Sequence, residues 1–170
     1  MASALVIGAL TWLHVLGAMG WFGGDLVLMI GLDPRLGRLS PSARWELTTR
    51  ILPGINVLEM AFSGTTVTFG LLLLIAVTNG NASVLSPSNS WGLAVTVGAA
   101  LAFVAFLLEV GVHSPAVRRM IATSKALGQQ SFESMPAEIS KHARRSEMAE
   151  TVIVVLLFAA FTCMIASGQL

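Results

Sequence analysis

Four long apolar stretches, separated by short polar ones, constrain this chain more than any other feature. A helix needs about 20 apolar residues to cross the hydrocarbon core of a bilayer. The stretches run over about 4–32, 51–78, 91–113 and 148–167. They predict an all-α fold, an integral membrane four-helix up-down bundle forming a single transmembrane domain over 1–170. Composition agrees. The chain is 55% hydrophobic and 11% charged, against about 25% charged in a soluble globular protein. Most of its surface must therefore face lipid or other protein. A net charge of +1 speaks against a nucleic-acid partner. Cys163 is the single cysteine, which excludes an intrachain disulfide and any cysteine-rich metal site. No Lys or Arg precedes the first stretch, and that stretch is too long for the core of a secretory signal. It reads as a retained helix.

Charge sets the expected orientation. All ten Lys and Arg fall in two connections, about 33–50 and 114–147, which are read as cytoplasmic. The connection Asn79–Ser90 has no charge, and neither do the ends of the chain. The N- and C-termini are therefore expected outside the plasma membrane of a multi-pass protein. Asn79-Gly80 and Pro87 are turn chemistry in that outer loop, and Trp91 stands where an interfacial anchor would. Asn81-Ala82-Ser83 matches a glycosylation sequon, a pattern frequent by chance. Ser114-Pro115 predicts a break and a fresh helix over about 116–127. Ser134 and Pro136 predict the start of the last helix.

Ionisable residues inside a membrane are costly and mark sites by default. His14 falls about 15 Å from the outer end of its stretch at 1.5 Å per residue, near mid-membrane. Asp25 lies almost three turns later on the same face, with Gly17, Gly20, Trp21 and Gly24 alongside. In the second stretch Glu59, Ser63, Thr66 and Gly70 form one stripe. Glu109 and His113 are i and i+4, and Glu147 and Glu150 are i and i+3. Asp25, Glu59, Glu147 and Glu150 form an expected intramembrane polar cluster in the inner half of the bilayer.

That cluster has three readings. It is an ion-pair network in which Arg144 and Arg145 neutralise Glu59, Glu109 and Glu147. It is a metal site on Glu109 and His113, one residue longer than the Glu-x-x-His of di-metal bundles. Or it is a proton path, or a docking surface for a quinone or partner. His14 is either an imidazole bonded across helices or an axial ligand to haem b. His113 and His142 lie about 15 Å away along the membrane normal, and Met19 and Met60 are poorly placed in depth. Haem on His14 would be five-coordinate, ligated by an unexpected group, or shared with another chain.

The run from Trp12 to Gly24, with Leu13-His14 followed by Trp21 and small residues, resembles the first span of the copper-resistance protein D superfamily. The membrane protoporphyrinogen oxidases of the HemJ type share that pattern. Arg144-Arg145-Ser146-Glu147 is similar to the Arg-x-x-Asn-Glu start of their last helix, with Ser146 in place of Asn. The resemblance implies a four-helix membrane protein with His14 in the position of a haem-associated histidine. The expected function is thus a haem-associated, redox-related membrane protein. One alternative is a non-catalytic accessory subunit of a respiratory, photosynthetic or oxygenase complex, partnered by other membrane subunits or by copies of itself. A copper or small-solute transporter is the other.

Overall fold

The computed structural model describes residues 2–86, 88–128 and 137–168. Within them lie four helices long and apolar enough to cross a membrane: Ala4–Leu36, Pro41–Thr78, Ser90–Leu127 and Ala137–Ser167. The first comprises α1 (Ala4–Leu26) and α2 (Asp33–Leu36). The second comprises α3 (Pro41–Glu46) and α4 (Leu52–Thr78). The third comprises α5 (Ser90–Leu108) and α6 (Ser114–Leu127), and the fourth is α7 (Ala137–Ser167). Ser134 and Pro136 lie outside the described residues.

The joints inside the first three long helices are π-helical turns, at Val27–Leu32, Leu47–Ile51 and Glu109–His113. Each ends two residues before a proline, Pro34, Pro53 and Pro115 respectively. The chemistry explains the coincidence. Proline has no N–H to give the preceding turn, and its ring pushes that turn's carbonyl away. A wider turn, closed by i→i+5 bonds, takes up the displaced carbonyls and lets the helix continue. The break expected at Ser114-Pro115 is therefore absent. The third helix runs through to Leu127, with a π-turn where a gap was predicted.

Packing follows the small residues. α1 lies along α4, and α5 lies along α7. At Gly17 a methyl group would fall 2.9 Å from the backbone nitrogen of Thr66, and at Gly98 it would fall 3.2 Å from the Ala160 carbonyl oxygen. Glycine is what permits these approaches. Gly24 has no such neighbour. Helices α4 and α5 share a short connection but touch little, so adjacency in sequence does not set the main packing pairs. Trp21, Ala105, Ile153 and Leu157 join the two pairs in one buried cluster, with Phe62 and Phe106 against it. The Trp45 indole N–H donates to the Ser124 carbonyl at 3.3 Å, tying α3 to α6. Leu, Val, Ile and Phe side chains cover the outside of the bundle, among them Leu5, Ile75, Val97, Phe103 and Ile165. That skin is compatible with lipid contact.

Candidate metal centre

Under the Trp21 cluster the bundle interior turns from apolar to acidic. Glu59 extends the stripe on α4, where Ser63 and Thr66 are also buried. The π-turn Glu109–His113 buries both of its end residues. One ligand atom from each of Glu59, Glu109 and His113 lies within 4.8 Å of the other two. Glu109 is 1% exposed, and Glu59 and His113 are 4% exposed. Asp25 of α1 is 1% exposed and lies within electrostatic range of Glu59, Glu109, Glu150 and His113. Glu150 of α7 is also buried, and Asp33 approaches it side chain to side chain. Each of the four long helices thus supplies one buried carboxylate, and the third adds an imidazole.

The imidazole is fixed from behind. His113 Nδ1 stands 3.3 Å from the carbonyl oxygen of Ser146 and 3.2 Å from its hydroxyl. Nδ1–H donates to that carbonyl, and Nε2 stands 3.7 Å from a Glu59 oxygen. A metal-binding histidine is held in this way, its second nitrogen donating to a carbonyl. Around an ion with bonds of about 2.0–2.2 Å, two ligand atoms lie at most about 4.4 Å apart. A spread of up to 4.8 Å is wider than that, so the three side chains must draw together around an ion.

Polar satisfaction makes the site conspicuous. Asp25 Oδ2, Glu59 Oε1, Glu109 Oε1 and Glu150 Oε1 are buried with no hydrogen-bond partner. Buried charge is ordinarily paired or bound to metal. The pairing expected with Arg144 and Arg145 is not what forms. Among the described residues the ion pairs are His113–Glu59 and, on the exposed surface, Arg50–Glu46 at 3.2 Å. Arg144, Arg145 and Glu147 are exposed on α7. The cluster therefore has no Lys or Arg to neutralise it.

The spacing in the third helix has a structural answer. Glu109 and His113 are one residue too far apart for the i, i+3 pair of a di-metal bundle. The π-turn between them carries one residue more than an α-turn. It absorbs the surplus and brings both side chains to the same interior. Ser146 is the participant that sequence reasoning left without a role at this site. Its position in the stretch similar to Arg-x-x-Asn-Glu was the available signal.

His14 stands apart from this centre. It is half-buried between α1 and α4, and its Nδ1–H donates to the Thr66 carbonyl at 2.9 Å. The ring lies over Gly70, where a methyl group would come within 2.8 Å of it. No protein-family model, curated protein or solved structure matches this chain.

Proposed function

We propose that this chain is a multi-pass membrane protein that holds a non-haem iron or manganese ion inside its bundle. Glu59, Glu109 and His113 are the ligands, with Asp25 and Glu150 beside them. The observation that carries this reading is the convergence of three buried ligand atoms within 4.8 Å, with no Lys or Arg paired to the carboxylates among the described residues. Four carboxylates in their ionised forms outweigh one imidazole, and a divalent cation offsets two of those charges. Carboxylate and imidazole ligands suit manganese and iron, and the absence of thiolate argues against a softer ion. Such an ion would give the protein a redox-related role within the membrane.

The test is metal content. The protein, purified in mild detergent and loaded anaerobically with Fe(II) or with Mn(II), is expected to retain near-stoichiometric metal through desalting. Glu109→Gln is expected to lose it while helical content stays unchanged. A wild-type protein that retains neither ion overturns the proposal.

A second reading has an observation of its own. His14 spends Nδ1–H on a backbone carbonyl, which leaves Nε2 unprotonated, as an axial haem ligand requires. The half-buried ring on the α1–α4 pair would then hold haem b at the bundle surface, shared with a second membrane subunit or another copy. A Soret band in the purified protein, lost in His14→Ala, supports this reading. A featureless spectrum removes it and leaves the metal centre in place.

A further inference from the structure

On the side of α7 away from the metal centre a groove opens between that helix and the third one. Its cavity volume is about 610 Å³. Leu108, Val112, Met148 and Val152 form its apolar part, and Lys141, Arg144 and Arg145 stand over one end. The three cations are exposed, and among the described residues none of them forms an ion pair. We propose that this groove binds an anionic glycerophospholipid, with the phosphate on Lys141, Arg144 and Arg145 and one acyl chain along Val112, Met148 and Val152.

Three features fit that occupant. Basic pockets beside membrane helices select anionic head groups. Positive charge sits at one end and apolar surface at the other, as in a lipid molecule. From Lys141 to Val152 the helix rises about 16 Å at 1.5 Å per residue, close to the length of an acyl chain. Arginine adds specificity here, because its planar fork matches two phosphate oxygens at once. This inference rests on α7 and the third helix being membrane spans. It is independent of the metal centre, whose residues face the other way.

The experiment is native mass spectrometry of the full chain released from detergent supplemented with phosphatidylglycerol or phosphatidylcholine. Phosphatidylglycerol is expected to stay bound at collision energies that strip phosphatidylcholine. The Lys141→Gln/Arg144→Gln/Arg145→Gln triple variant is expected to bind it about a hundredfold more weakly, since each cation near an anionic head group contributes measurably. Val152→Trp fills the tail path without touching the charges and is expected to weaken phosphatidylglycerol binding too. It also serves if the triple variant fails to fold. Equal retention of the two lipids overturns the proposal, as does full retention in either variant. Displacement of phosphatidylglycerol by inorganic phosphate alone would mark a simple anion site and overturn it as well.

Discussion

At the scale of single residues, the chain divides its histidines between two kinds of support. His113 and His14 both give Nδ1–H to a backbone carbonyl, Ser146 for one and Thr66 for the other. Only His113 then faces carboxylates. Its partner Ser146 adds a hydroxyl 3.2 Å from the same nitrogen. Partners of this kind set the orientation of a ligand and influence affinity by about 10- to 100-fold. Ser146→Ala is therefore expected to weaken Fe(II) or Mn(II) binding by at most about that factor and to leave helical content unchanged. Competition titration against a metal-sensing dye reads the difference. Affinity equal to wild type would show that the Ser146 hydroxyl plays no part in holding the ring.

At the scale of elements, the π-turn Glu109–His113 carries the structural argument. Gly111 lies inside it, exposed, with open space where a side chain would go. Deleting Gly111 closes the turn to α-helical form and brings Glu109 and the imidazole to i, i+3. Both groups stay toward the interior, so metal binding is expected to survive with unchanged helicity. Inserting an alanine after Gly111 rotates the imidazole by about 100° at 3.6 residues per turn, and binding is expected to disappear. Metal content of the two variants separates the outcomes, and loss of metal in the deletion alone would contradict the geometry. Here the limits of sequence reading are physical. Hydropathy marks the apolar middles of the four helices, but three of the helices extend well beyond them into amphipathic or charged ends such as α6 and the start of α7. Residues such as Lys125 and Lys141 end an apolar run without ending a helix. Asp25, Glu59, Glu109 and Glu150 were legible as ionisable groups set within or beside apolar stretches. The π-turns were not, because a proline in the sequence announces an interruption and does not say which wider turn absorbs it. Nor was the absence of the Arg144 and Arg145 pairing, since the direction in which a side chain leaves α7 depends on its packing against α5.

At the scale of the whole molecule, the outside of the bundle carries a broad apolar skin, and four carboxylates, Asp25, Glu59, Glu109 and Glu150, are inside. Charge asymmetry between the connections predicts that Asn79–Ser90 is outside the cell and the basic connections inside. In a Cys163→Ala background, Ser83→Cys is expected to react with a membrane-impermeant maleimide on intact cells. Lys125→Cys is expected to react only after permeabilisation. The reverse pattern would invert the topology. Once helices are in a bilayer, the hydrophobic effect no longer pulls them together, so association falls to the glycine contacts and the polar interior. Of the four buried carboxylates, Glu59 and Glu109 would join His113 in holding the ion, from the second and third long helices, while Asp25 and Glu150 stand beside it from the first and fourth. Glu150 is the last of the four to leave the ribosome. An ion held by Glu59, Glu109 and His113 would fasten the second long helix to the third, and the carboxylate of the fourth would close beside it only once that helix has been made and inserted.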